Sequence, residues 1–186
     1  MGAIVVLIRG INVGGKNPVA MSGLRDLLEE LGCTDVATFL ASGNAIVDTT
    51  MSAKALASAL EKQLPSRFHL HDELVKVLVL TSAQLRAVVA DRPKGFGDQP
   101  TKFHSDAIFL MGISQAEAMK VFQPREGVDT VWPGKGVIYS QRLSAERTKS
   151  RLGKIVGTPP YKSMTIRSWQ TTLKLAAALD ERATQE

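Results

Sequence analysis

A chain of 186 residues with 44% hydrophobic content and a formal charge of +5 has enough apolar side chains for one substantial core or two small ones, which excludes a disordered protein. Its longest apolar run falls far short of the roughly 20 residues of a bilayer span, and no basic segment precedes the N-terminal apolar stretch, so neither a membrane nor an exported protein is expected. The single cysteine, Cys33, can make no internal disulfide, which points to the cytoplasm.

Ala3 to Ile8 is an unbroken apolar run rich in Ile and Val, the pattern of a strand buried on both faces. Gly10, Gly14 and Gly15 end it. Leu24, Leu27, Leu28 and Leu31 then recur at i, i+3, i+4 and i+7, one face of an amphipathic helix closed by Gly32. Gly10-x-x-x-x-Gly15-Lys16 fits the first seven positions of a Walker A loop. However, Asn17 stands where that loop needs a magnesium-binding hydroxyl, and Pro18 forbids a helix running through Lys16, so no triphosphate site is expected.

Val36 to Ala41 and Ala45 to Thr49 are short extended runs around Ser42-Gly43-Asn44, a hairpin. Ser52 opens an alanine-rich helix with Leu56, Leu60 and Leu64 on one face, expected to stop at Pro65, and Leu74 to Leu80 follows as a strand. The order is βαββαβ, the ferredoxin-like plan. After a helix from about Ser82 to Ala90 and a loop, the order recurs. A strand spans Asp106 to Met111 and a helix Ser114 to Phe122. Strands Val128 to Trp132 and Val137 to Ser140 flank Pro133-Gly134-Lys135-Gly136. A helix from Ser144 to Ile155, capped by Ser144, precedes a strand from Ser163 to Ile166, and a last helix covers Ser168 to Leu179. The expected fold is α+β, two tandem ferredoxin-like alpha-beta plaits (residues 1–80 and 105–186) joined by a connecting helix and loop at 81–104, with the final helix in the second domain.

R-G-I-N-V-G-G-K-N, M-S-G-L-R-D-L-L-E-E-L-G and F-L-A-S-G-N-A-I-V-D resemble the N-terminal signature of the bacterial family catalogued as domain of unknown function 1697. The ending, Thr165-Ile166-Arg167-Ser168-Trp169-Gln170-Thr171-Thr172-Leu173-Lys174-Leu175, is similar to that family's closing segment, with Ser168 and Gln170 in place of two asparagines. The resemblance implies two alpha-beta plaits and assigns no activity.

In a sheet of order 4-1-3-2 the end of the first strand lies beside the turn joining the second and third. That brings Arg9, Asn12 and Lys16 near Ser42 and Asn44, as a ligand-binding cluster or as loops in which the asparagines serve as turn residues and caps. The same geometry in the second plait gathers Arg142, the helix N-terminus at Ser144 and Arg167, beside Trp169, as an anion site or a solvated basic face. From Lys135 to Lys174 nine basic residues stand against one acid, Glu146. Such a stretch suits an anionic small molecule or nucleic acid, with Trp132, Tyr139, Tyr161 and Trp169 available for stacking, although the central strands lack the aromatics of ferredoxin-like RNA binders. The alternative is an enzyme acting on a phosphorylated small molecule at the N-terminal Gly-rich loop. His69-Leu70-His71-Asp72 with only His104 in addition makes no metal set, and no cofactor is expected.

Overall fold

The computed structural model describes residues 2–71 and 75–184. The chain divides into two compact units, Met1–Arg86 with Leu175–Glu186, and Ala87–Lys174.

In the first unit β1 (Gly2–Arg9), β2 (Thr34–Phe39), β3 (Asn44–Thr49) and β4 (Lys76–Thr81) form an antiparallel sheet of order β2-β3-β1-β4. β4 is thus shorter at its start than the sequence suggests; Leu74, and the Asp72 of the histidine motif, lie outside the described residues. α1 (Met21–Glu30) and α2 (Ala53–Phe68) cover one sheet face, because Leu24, Leu27, Leu28, Leu56, Leu60 and Leu64 join Val6, Ile8, Ala45, Val47, Val77 and Val79 in one buried cluster. Val5, Leu7 and Ile46, of opposite parity, are fully buried as well, as the two-sided apolar run of β1 requires.

Ser52 caps α2 by accepting from Ala55 N, but Pro65 does not end it. Proline forfeits one backbone hydrogen bond inside a helix, and here tertiary packing holds the last turn nevertheless. Phe68 packs on the core so closely to Gly23 that a Cβ there would meet its ring at 2.9 Å, and Arg67 makes two hydrogen bonds to Glu30, at 2.5 and 2.9 Å.

In the second unit β5 (Phe103–Leu110), β6 (Asp129–Gly134), β7 (Val137–Leu143) and β8 (Met164–Ser168) form a second antiparallel sheet, of order β6-β7-β5-β8. α3 (Ser82–Ala90) precedes it and α4 (Gln115–Met119) follows β5. Between β7 and β8 the expected helix is absent. Residues 144–163 form three short 3₁₀ turns, Ser144–Lys149, Leu152–Ile155 and Pro159–Ser163, and Ser144 caps none of them. From Ser144 to Ile155 only Ala145, Leu152 and Ile155 are apolar, too few for the stripe that stabilises a helix through packing. Leu152 and Ile155, three apart and so on one side of a 3₁₀ turn, instead drop into a core with Ile108, Ile138 and Met164. Ser144 N donates to Lys102 O at 3.0 Å, which prolongs the β5–β7 ladder.

α5 (Trp169–Ala183) was expected in the second domain throughout, yet from Leu175 it groups with the first unit. There Asp180 binds Arg86 at 2.7 Å and Arg182 pairs with Asp35 at 3.1 Å.

Candidate functional site

Residues 12–17 form a two-rung hairpin finger. Asn12 N donates to Asn17 O and Lys16 N to Val13 O, each at 3.0 Å, across Gly14 and Gly15 at φ 58° and 73°. Two successive residues at positive φ are what a tight hairpin turn needs, hence glycine at both. Two of the amides that a phosphate cradle would use are therefore spent on the finger itself. We expect isothermal titration with ATP and magnesium to show no tight binding; micromolar affinity lost on Lys16→Ala is the contrary result.

The end of β1 lies beside the turn joining β2 and β3: Ile8 N donates to Gly43 O at 2.8 Å and Asn44 lies opposite Leu7. Gly43 is pressed against Ile11, where a Cβ would sit 2.7 Å from Cδ1. Asn12, at φ 53°, donates from Nδ2 to Val19 O and Ala41 O and accepts from Val19 N. Asn44, fully buried, donates to Phe39 O and to Ser42 Oγ. These polar groups knit the loops together. Arg9, half-buried, faces Lys76 across β4, and Lys16 is exposed.

Sequence reasoning missed the third asparagine of this set. Asn17, at φ 50° and 4% exposed, donates to Gly10 O at 2.8 Å and His71 O at 3.4 Å and accepts from His71 N at 3.0 Å. Asparagine tolerates this backbone region better than other non-glycine residues, so its place directly after the glycine turn was the available signal.

In the second unit β7 and β8 run to the same end of the sheet, but Arg142 and Arg167 do not converge. Arg142 lies opposite His104 and Arg167 opposite Ala107. Positions of odd separation along β5 face opposite sides of the sheet, so the two guanidinium groups point apart. Arg167 is buried and donates to Thr165 Oγ1 and Ile166 O; burial pulls its pKa down to about 10, which still leaves it charged at neutral pH. With no helix at Ser144, the expected helix-dipole contribution is also missing.

Arg142 keeps other company. Its Nη1 lies 3.8 Å from Asp106 Oδ2, whose Oδ1 is 3.1 Å from His104 Nε2. Burial pushes the Asp106 carboxyl up, and the neighbouring His104 and Arg142 offset this only in part. Asp106 and Arg142 line a cleft of about 120 Å³ with Ser140 and the apolar Ile108, Leu152, Ile155 and Ile166. A perturbed carboxyl in a cleft marks a functional-site candidate. His104 and Asp106 were legible in principle: two polar residues at i and i+2 in F-H-S-D-A-I-F-L share one strand face.

Asp129, at the start of β6 and 7% exposed, anchors the 144–163 connection. Its Oδ2 accepts from Arg125 N at 3.0 Å and Arg151 N at 2.8 Å. Burial alone would raise its pKa, but the Ser150 hydroxyl, the two amides and the Arg142 charge together hold it below the ordinary value. Held in this way, the connection displays Arg147, Lys149, Arg151, Lys154 and Lys162, all exposed, and its one acid, Glu146, is engaged by Lys149 at 2.6 Å.

Two of the four aromatics, Tyr139 and Trp169, are packed inside and offer no face for stacking, while Trp132 and Tyr161 are half-buried. Trp169 and Tyr139 are buried and meet Phe96 edge-on, with centroids 5.0 and 5.1 Å away. Tyr139 OH donates to Val88 O at 2.7 Å, and burial, with Asp91 nearby, raises its pKa to about 12. Among the described residues no helix is long and apolar enough to cross a membrane, and no group of three or more His, Cys, Asp or Glu side chains could hold a metal ion.

The chain is a mixed α+β protein with two four-stranded antiparallel sheets. It belongs to the family described as Protein of unknown function (DUF1697), whose model matches residues 1–139. Among solved structures it is similar to the conserved bacterial protein SP0830 from Streptococcus pneumoniae, at 25% identity and a TM-score of 0.80, covering 95% of this chain and 98% of that one. No curated protein matches it significantly.

Proposed function

We propose that the chain is a pair of ferredoxin-like plaits acting in the cytoplasm as a polyanion-binding protein, with nucleic-acid backbone as the ligand of the 144–163 connection. The spatial order β4-β1-β3-β2, repeated as β8-β5-β7-β6, supports the fold reading. A lone, buried cysteine suits a reducing compartment. The observation that carries the binding reading is the display of five exposed cations on one pinned connection whose only acid is already paired. Fixed cations recruit phosphates by counterion release, without base-specific contacts. Arg142, at the cleft beneath, adds a planar fork for phosphate oxygens.

The test is fluorescence anisotropy with a single-stranded oligonucleotide across a salt series. Affinity should fall linearly in log–log form, with a slope of about −0.7 per phosphate contacted. Changing Arg147, Lys149, Arg151, Lys154 and Lys162 to glutamine should flatten that slope for all sequences alike. Binding equal to wild type in this fivefold variant, folded by circular dichroism, refutes the reading.

A further inference from the structure

Side chains directly opposed in an antiparallel pair, and those two residues apart on one strand, stand on the same face of a sheet. Arg142 lies opposite both His104 and Asp129, and Asp106 is two residues from His104, so an imidazole, a carboxyl and a guanidinium share one face. Asp129 is the residue that holds Arg151 N, and Leu152, Gly153 and Val156 of the connection wall the cleft that Asp106 and Arg142 line. The three groups therefore border the cationic connection. We propose that the second unit cleaves RNA at this place, with His104 as general base and Arg142 as the phosphate-binding cation, by attack of a ribose 2′-hydroxyl on its own 3′-phosphate. The proposal rests on the nucleic-acid reading of the connection and adds a reaction to it.

The geometry fits each role. His104 Nε2 lies at hydrogen-bond distance, 3.1 Å, from Asp106 Oδ1, and its side chain is 45% exposed, whereas that of Asp106 is 15% exposed. A carboxylate that accepts from one ring nitrogen fixes the tautomer and leaves the lone pair on the other, Nδ1, to take a proton from a substrate. Burial disfavours the Asp106 charge and His104 counters that effect. The carboxylate is therefore stabilised when the imidazole gains a proton, as an oriented base requires. Between Arg142 Nη1 and Asp106 Oδ2 the separation is 3.8 Å, an ion pair too long for a hydrogen bond, so the guanidinium fork keeps N–H groups for phosphate oxygens.

The step balances without a co-reactant other than solvent. His104 removes the 2′-hydroxyl proton, the 2′-oxygen bonds to phosphorus, and the bond from phosphorus to the 5′-oxygen of the next nucleotide breaks. The leaving oxygen takes a proton from water, and His104 returns its own to solvent. A 2′,3′-cyclic phosphate and a 5′-hydroxyl result, with no oxidant or reductant involved, because the nucleophile belongs to the substrate. Arg142 stabilises the negative charge that builds on the phosphoryl oxygens as the 2′-oxygen attacks. DNA lacks the 2′-hydroxyl, so it binds the connection and does not react.

The experiment incubates the full chain, in EDTA, with a fluorescein-labelled single-stranded RNA and with the DNA of the same sequence, reading binding by anisotropy and products by mass spectrometry. RNA should be cut to fragments ending in 2′,3′-cyclic phosphate, and DNA should be bound and left intact. His104→Gln, at an exposed position, should slow cleavage at least about 100-fold, the lower end of what a general base contributes, while the RNA is still held by the connection. Asp106→Asn keeps the size of the side chain and removes the charge that orients His104, so kcat should fall while KM stays. RNA bound but intact, fragments without cyclic ends, DNA cut as fast as RNA, or cleavage undiminished in His104→Gln overturns the proposal and leaves the binding reading standing. RNA that does not bind at all overturns both.

Discussion

Replacing Asn17 with alanine should lower stability by about 2–4 kcal/mol in urea denaturation, which makes it one of the two largest single effects expected in this protein. The side chain makes three hydrogen bonds, to Gly10 O, His71 O and His71 N, and it is 4% exposed. Its removal strands buried backbone groups at about 1–3 kcal/mol each, less whatever water can recover. Alanine also suits φ 50° poorly, at a further cost of about 1 kcal/mol. Asn17→Gly separates the two causes, because glycine loses the hydrogen bonds and relieves the backbone. The glycine variant should therefore fall between wild type and alanine. An alanine variant within about 0.5 kcal/mol of wild type contradicts the role given to Asn17, since an ordinary surface position behaves in that way.

The second large effect is at Asp129. Two backbone amides of separate loops converge on one carboxylate oxygen, and hydrogen bonds to a charged acceptor contribute about 1.5–3 kcal/mol each. Asp129→Ala should cost about 2–4 kcal/mol on that basis and release the 144–163 connection. Trypsin then cuts sooner after Arg147, Lys149 and Arg151 than it does in wild type. The pH dependence has a definite sign. The folded-state pKa of Asp129 lies below its ordinary value, so the unfolded chain binds the proton more readily. Its stabilisation is fully present above the unfolded-state pKa of about 3.9 and is lost as pH falls through the lower folded-state value. The stability gap between wild type and Asp129→Ala should accordingly be wide at pH 7 and close in that acid window. A gap that persists unchanged below pH 3, or a trypsin pattern identical to wild type, removes Asp129 from this role.

Both anchors lie where residue-by-residue reading is weakest. Asn17 was legible only as an obstacle to a Walker loop, together with its neighbour Pro18. Its partner at His71 is 54 positions away, however, and nothing local marks the pairing. Asp129 reads as an ordinary polar residue at a strand start, and its two amide partners come from segments with no periodicity of their own. The second cluster failed for a different reason. The direction of β7 and β8 followed from connectivity alone, but the side of the sheet each arginine faces depends on exact register, and a shift of a single residue reverses it.

What the sequence by itself determined are the features with a local physical cause. The two-sided apolar run of β1, the leucine stripe of α1 and its closure at Gly32, the Ser52 cap and the finger's paired glycines all follow from side-chain periodicity and backbone preference within a few residues. Tertiary structure alone decided the rest. It carried α2 through Pro65, because Phe68 and Arg67 found partners on α1 and in the core. It folded residues 144–163 into 3₁₀ turns, because two apolar side chains three apart fit the core better than a helix with no stripe. It also set Gly97 against Trp169, 72 positions later in the chain, so closely that a Cβ there would come within 2.4 Å of the indole. Local free-energy differences of about 1 kcal/mol per residue set the first group. Contacts between residues remote in sequence are worth as much or more wherever they bury a side chain, and they prevail over local preference at those positions.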